Sequence, residues 1–167
     1  MNLITLGIDE IKKDQFNEIK NMKRGNKPWG GLWTSPIESE YGWYNFVKGE
    51  HYREEYYLNK MTLITLKSDA KIYKIDSVED FDLCPHIQER VQEQDPFFIT
   101  SQDQNTIFNK FKKIDFEKLS EDYDGVWITV KAIVNLENRH QNFMGDLYGW
   151  DVETVLLFNL NCIESYA

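Results

Sequence analysis

The chain has 167 residues, of which 41% are apolar and 14% aromatic, so it is long and hydrophobic enough to bury one core. Its net charge of −9 is uneven, because residues 1–83 hold 12 basic and 14 acidic side chains, whereas residues 84–167 hold 7 and 14. Such an acidic field repels phosphate backbones, which argues against a broad nucleic-acid surface and favours a basic partner. We expect a single domain over residues 1–167.

The sequence carries no mark of a membrane protein or of a metal site. No run approaches about 18 apolar residues, and the first six residues lack the basic start of a signal peptide. Cys84 and Cys162 have no metal-ligand spacing, and neither do the three histidines, so we expect two reduced, buried thiols and no metal. These features predict a cytoplasmic protein, in its own cell or in a host, with no membrane partner.

The first half of the chain predicts alternating strands and helices. Apolar runs predict strands at residues 3–8, 31–35, 61–66 and 70–75, the last two separated by a tight turn. A spacing of three to four residues predicts helices at 9–22 and 41–58. Ser77 and Asp80 have the spacing of a helix cap and its third helical residue, so a further helix should begin there.

The second half predicts helices and loops followed by two buried strands. Residues 84–122 carry two prolines among short amphipathic pieces, including 106–111 and 116–119. Residues 125–134 and 152–160 are rich in β-branched, aromatic and aliphatic side chains and are expected to be strands. Residues 135–146 should form a polar loop able to cover a cleft. The mixture predicts an α+β protein.

A segment near the start, residues 27–36, combines features of a pocket for a flat ligand. Two glycines permit close approach of a backbone, tryptophan rings offer flat faces, and neighbouring hydroxyls and cations could hold polar groups. The residues are Gly30, Gly31, Trp33, Thr34, Ser35 and Lys27, with Arg24 just before them. The alternative is equally open: Trp33 belongs to the core, the glycines form a turn and the lysine is solvated.

A second segment, residues 149–155, places two carboxylates beside a tryptophan. Asp151 and Glu153 are two residues apart, so on a strand they point to one face while Val152 points to the core. Such a pair could orient a ribose hydroxyl or act as acid and base. The spacing alone also fits an ordinary strand start with two solvated acids.

Motifs of the chain, taken in order, resemble a group of bacterial and phage proteins of little-known role. The residues that carry the likeness are Lys27-Pro28, Gly31-Leu32-Trp33-Thr34-Ser35, Trp43, Asp115-Phe116, Tyr123-Asp124-Gly125-Val126 and Trp150-Asp151, the last followed by an apolar strand. The same layout resembles the ADP-ribosyltransferase fold, a split β-sandwich with flanking helices that holds NAD between its sheets. The likeness spans residues 27–158.

The resemblance to ADP-ribosyltransferases implies roles for individual residues. Thr34-Ser35 matches the hydroxyl motif of the second strand, and Glu153 matches the catalytic glutamate, which binds a nicotinamide-ribose hydroxyl and stabilises an oxocarbenium-like transition state. Trp33 or Trp43 would then stack on nicotinamide, and Arg24 or Lys27 would contact the pyrophosphate. NAD is thus expected as a substrate, with ADP-ribose passing to a protein, a nucleic acid or a small molecule.

A second hypothesis is that the protein catalyses no reaction and acts by binding another protein. The first predicted strand contains neither Arg nor His, one of which the resemblance requires there, and residues 84–167 carry a net charge of −7. These observations fit an acidic binding or inhibitor protein of phage or mobile-element origin that blocks a basic host or rival protein. Its association should weaken steeply with added salt.

Overall fold

The computed structural model describes residues 1–22, 26–91, 110–139, 147 and 149–167. Its strands are β1 (Asn2–Leu6), β2 (Leu32–Pro36), β3 (Met61–Leu66), β4 (Ile72–Ile75), β5 (Ile87–Val91), β6 (Lys110–Ile114), β7 (Gly125–Ile128), β8 (Thr154–Leu157) and β9 (Ile163–Tyr166). Its helices are α1 (Trp43–Glu50), α2 (Glu54–Leu58), α3 (Val78–Asp82), α4 (Phe116–Asp122) and α5 (Val130–Arg139).

Seven strands form one mixed sheet in the order β4-β7-β8-β2-β1-β3-β9, and β5 pairs with β6 separately. β4 and β7 run parallel, whereas the other neighbouring pairs are antiparallel. A mixed sheet flanked by helices is the α+β class that the sequence predicts.

β2 is the strand that joins the two halves of this sheet. Residues 32–34 pair with β8, whereas Ser35 and Pro36 pair with β1 on the other edge. One half therefore contains β4, β7 and β8, the other contains β1, β3 and β9, and each half holds a different end of β2.

Apolar side chains cover both faces of the sheet. Trp33, Leu156 and Val126 lie on one face, because directly paired residues point the same way. They belong with the cluster that contains buried residues of α3, α4 and α5, namely Phe81, Leu119 and Leu136. The other face carries Leu3, Leu32, Ile64, Val155 and Leu157, which pack with the partly buried Ile8, Ile11 and Phe16.

The helix predicted for residues 9–22 is wrong. The segment contains only a short 3-10 turn, Lys13–Gln15, and then runs extended. Lys20 exchanges two backbone hydrogen bonds with Trp29, at 2.9 and 3.0 Å, and the Asn17 carbonyl accepts from the Gly31 amide at 2.8 Å. These distant partners take the groups that a helix would use. Ile11 and Phe16 pack against one core cluster, Ile19 lies in the other and Met22 is exposed, so the apolar residues do not form one helical face.

The strand predicted for residues 125–134 is correct only in its first part. β7 ends at Ile128, and α5 begins at Val130. The Thr129 hydroxyl accepts a hydrogen bond from the Ala132 amide at 3.3 Å, which is the contact of a helix cap. Because residues 125–134 are rich in β-branched side chains, the sequence predicted one continuous strand and did not indicate this cap. Residues 135–139 consequently lie in α5 instead of a loop, and residues 140–146 lie outside the described residues.

Two further predictions are corrected in part. The strands at 61–66 and 70–75 exist, but β3 pairs with β1 and β9 while β4 pairs with β7, so they are not neighbours. Residues 84–122 hold the β5–β6 pair as well as the predicted helix near residue 116, and 92–109 lie outside the described residues.

Other predictions are confirmed. The 41–58 helix is present as α1 and α2, interrupted at His51 and Arg53, which have left-handed backbone angles. Ser77 caps α3 by accepting from the Asp80 amide at 3.1 Å. Cys84 and Cys162 are free and buried, and burial raises the pKa of the Cys162 thiol to about 11. In the part of the chain that is described, no helix has the length and apolarity needed to cross a bilayer.

Candidate functional site

The two tryptophan-bearing segments, residues 27–36 and 149–155, meet in the structure. The Lys27 ammonium donates to the Gly149 carbonyl at 3.0 Å, and the Trp150 indole donates to the Asn26 carbonyl at 2.7 Å. The rings of Trp33 and Trp150 pack with centroids 5.1 Å apart. Trp150 is buried, so it holds the segments together from inside the core and offers no exposed ring.

The paired glycines serve the packing of the chain itself. A Cβ atom on Gly30 would lie 2.2 Å from the Glu18 carbonyl oxygen, and one on Gly31 would lie 2.7 Å from the Ile19 side chain. Both residues also have positive φ angles, 84° and 68°. The sequence was equally consistent with a ligand pocket and with a turn here, and the structure shows that the glycines let the chain pack closely against residues 17–19.

Ser35 links the two segments to the start of α1. Its hydroxyl donates to the Glu153 carbonyl at 2.8 Å and accepts from the Trp43 amide at 2.9 Å. The side chain is fully buried, so both bonds are shielded from water. Ser35 therefore fixes the positions of Glu153 and Trp43 relative to each other.

Glu153 is held by side chains that the sequence did not point to. One carboxylate oxygen accepts from the Trp127 indole at 2.7 Å, and the other accepts from the Ser39 hydroxyl at 2.7 Å. Its amide donates to the Tyr41 carbonyl at 2.9 Å. A carboxylate offers about four acceptor positions, so two remain for a ligand. The half-buried side chain is thus oriented but not saturated.

Lys27 lies between two aromatic rings. Its ammonium is 5.0 Å from the Trp33 ring centre and 5.8 Å from that of Trp43, both within the range of cation–π attraction. Burial lowers the pKa of Lys27, and the nearby charge of Asp151 opposes that change. This cluster of Lys27, Trp33 and Trp43 is called the lysine–tryptophan cluster below.

The structure brings together some predicted residues and separates others. Asp151 is exposed and lies in no strand, whereas Glu153 forms a parallel bridge with Gly42 just before β8, so no strand carries the two carboxylates on one face. Thr34 is fully buried, and its hydroxyl donates to the Val155 carbonyl at 2.6 Å, which encloses it within the sheet. Arg24 lies outside the described residues.

Trp33 and the Glu153 carboxylate lie on opposite sides of the sheet. Trp33 pairs with Leu156, while Trp127, the partner of the carboxylate, pairs with Val155. Successive residues of a strand point to opposite faces. Trp33 is nevertheless only two residues from Ser35, about 7 Å along the strand. A ligand that contacts both sides has to pass around the edge where the last residues of β2 lie beside the first residues of β8.

A surface depression of about 680 Å³ lies away from these residues. It is lined by His51, Arg53, Glu54, Glu55 and Tyr56, in the α1–α2 corner. Among the described residues, no group of three histidine, cysteine or acidic side chains is placed to hold a metal ion. The candidate site is therefore defined by the contacts around Ser35, Glu153 and Lys27.

Comparison of the chain with family models, with curated proteins and with solved structures gave no match.

Proposed function

We propose that this protein binds NAD at the junction of β2, β8 and α1 and transfers ADP-ribose to an acceptor. The observation that carries the proposal is the hydrogen bond of 2.8 Å from the Ser35 hydroxyl to the backbone carbonyl of Glu153, which joins a buried serine on β2 to the glutamate that precedes β8. A hydroxyl strand next to a glutamate strand is the pairing that the resemblance to ADP-ribosyltransferases implies. The division of the sheet at β2 supports a split sandwich.

The chemistry assigned to Glu153 is the one that the resemblance to ADP-ribosyltransferases implies, and its hydrogen bonds support it. Trp127 and Ser39 hold its carboxylate in one orientation, and the remaining acceptor positions receive a hydroxyl of the nicotinamide ribose. The fixed negative charge then stabilises the positive charge that develops on the ribose as its bond to nicotinamide breaks. Ser35 acts as a positioning residue, because both of its hydrogen bonds are to the chain itself.

The reaction is a substitution at the anomeric carbon of the ribose. The bond to the nicotinamide nitrogen breaks, and nicotinamide leaves with the electron pair. An acceptor nucleophile forms the new bond and loses its proton, for which the exposed Asp151 carboxylate is the candidate base. The products are ADP-ribosylated acceptor, nicotinamide and one proton.

The lysine–tryptophan cluster binds the other end of NAD. Lys27 provides a cation for the diphosphate, and Arg24 is a second candidate. Trp33 forms a wall of this subsite, because Trp150 and Lys27 already lie against its ring. The dinucleotide then runs around the end of β2 and β8, past residues 39–43, from Lys27 to Glu153.

Release of nicotinamide from NAD, measured with cell lysate as a source of acceptor, tests the proposal. We expect Glu153→Gln to lower the rate by at least about 100-fold with little change in the KM for NAD, because the charge matters most in the transition state. Glu164→Gln is the matched control, since Glu164 is exposed on β9. Absence of both NAD binding and nicotinamide release in the unaltered protein would overturn the proposal.

A further inference from the structure

Within the described residues, the indole Nε1 of Trp43 is buried without a hydrogen-bond partner. Three other indoles are paired: Trp33 with the Gly30 carbonyl at 3.0 Å, Trp127 with Glu153 at 2.7 Å and Trp150 with the Asn26 carbonyl at 2.7 Å. Buried N–H groups nearly always have partners, and exceptions commonly mark the place of a water, an ion or a ligand.

The cation beside this indole also has unused donors. The Lys27 ammonium lies 5.8 Å from the centre of the Trp43 ring, and its hydrogen bond goes to the Gly149 carbonyl. An ammonium has three N–H groups, so two are unused by the described residues and can meet a further acceptor. The ring that carries the buried neutral donor thus lies within 5.8 Å of a cationic donor, and a neutral and a cationic donor together suit an oxyanion.

We infer that Trp43 Nε1 and Lys27 Nζ form a two-donor subsite for a phosphate group. One phosphate oxygen accepts from the indole, and another accepts from the ammonium. The inference rests on the proposed function for the identity of the ligand, which is the diphosphate of NAD. It gives Trp43 a different role from stacking on nicotinamide, because Lys27 lies over its ring and Phe46 packs against that ring at 5.7 Å.

Asp151 is the charge that opposes phosphate at this subsite. Its negative charge acts on Lys27, so it competes with any anion for the same ammonium. Removing that charge should therefore strengthen phosphate binding. A site that depended only on the overall charge of the protein would respond equally to the loss of any exposed acid, such as Glu164.

The test is a titration of protein labelled with ¹⁵N-tryptophan by inorganic pyrophosphate, followed through the indole N–H signals. We expect the Trp43 signal, assigned by its loss in Trp43→Phe, to shift in a saturable way while the exposed Trp29 signal stays in place. Lys27→Gln should weaken the response at least about tenfold. Asp151→Asn should tighten it about threefold, and Glu164→Gln should have little effect.

Other results of these measurements would overturn either the phosphate subsite or the proposed function. A Trp43 signal that does not move, or a response that survives Lys27→Gln unchanged, overturns the subsite. The signals of the remaining tryptophans report whether each variant is folded. If pyrophosphate binds but NAD does not, the subsite stands and the proposed function fails. If nicotinamide is released while pyrophosphate leaves Trp43 unaffected, the subsite fails and the proposed function stands.

Discussion

The surroundings of Glu153 and the lysine–tryptophan cluster differ in how fully their polar groups are paired. Around Glu153, both carboxylate oxygens, the carbonyl and the amide have hydrogen-bond partners within the chain. In the cluster, the Trp43 indole has none among the described residues, and the Lys27 ammonium donates to a single carbonyl. A paired group holds a geometry, whereas an unpaired donor is ready for a ligand. The contrast teaches that orientation and ligand capture belong to different ends of the proposed NAD site.

The largest effect should come from breaking the close backbone approach at Gly30, which precedes the lysine–tryptophan cluster residue Trp33. Gly30→Ala places a Cβ 2.2 Å from the Glu18 carbonyl oxygen at a φ of +84°, so we expect a loss of about 2–4 kcal/mol in the free energy of unfolding. Urea denaturation measures this loss in the free energy of unfolding. Gly49→Ala is the matched control, because a Cβ added at Gly49 meets no other part of the protein within 4 Å. This substitution should raise the stability of α1 by about 0.5–1 kcal/mol. A Gly30→Ala variant as stable as the parent would contradict the close approach.

A smaller effect should follow from removing the donor that orients Glu153. Trp127→Phe deletes the indole N–H bonded to the carboxylate, and we expect a cost of about 1–2 kcal/mol. The exposed Trp29→Phe should change stability by less than about 0.5 kcal/mol. In a Glu153→Ala background the cost of Trp127→Phe should fall by about 1 kcal/mol, as coupled residues require. Equal costs in both backgrounds would show that the bond contributes nothing.

The smallest effect concerns the pH dependence of stability at Lys27. Burial lowers its pKa in the folded protein below the ordinary 10.5, so the unfolded chain binds more protons between the two values. The free energy of unfolding therefore gains a contribution from Lys27 as pH rises through that window. Lys27→Met removes the contribution, so the stability of the parent relative to this variant should increase toward pH 10.5. A difference that is flat or falls with pH, in paired urea titrations, would contradict the burial of a charged lysine.

The secondary structure predicted from the sequence was correct where residues close together in sequence determine it. Ser77 and Asp80 form their cap within one turn, and the apolar run at residues 61–66 forms β3. The prediction failed for residues 9–22, because backbone bonds from Lys20 to Trp29 compete with the helix that local spacing favours. It also missed Trp127 and Ser39 as partners of Glu153, since nothing near either residue marks a contact with position 153.

By itself, the sequence determined the α+β class, most strands and the buried thiols. These follow from local periodicity and composition. Only the tertiary structure decided that Ser35 meets Glu153, that Lys27 lies between Trp33 and Trp43, and that Asp151 lies outside a strand. Those contacts depend on which strands become neighbours and on where each strand begins, and both are set by packing over the whole chain.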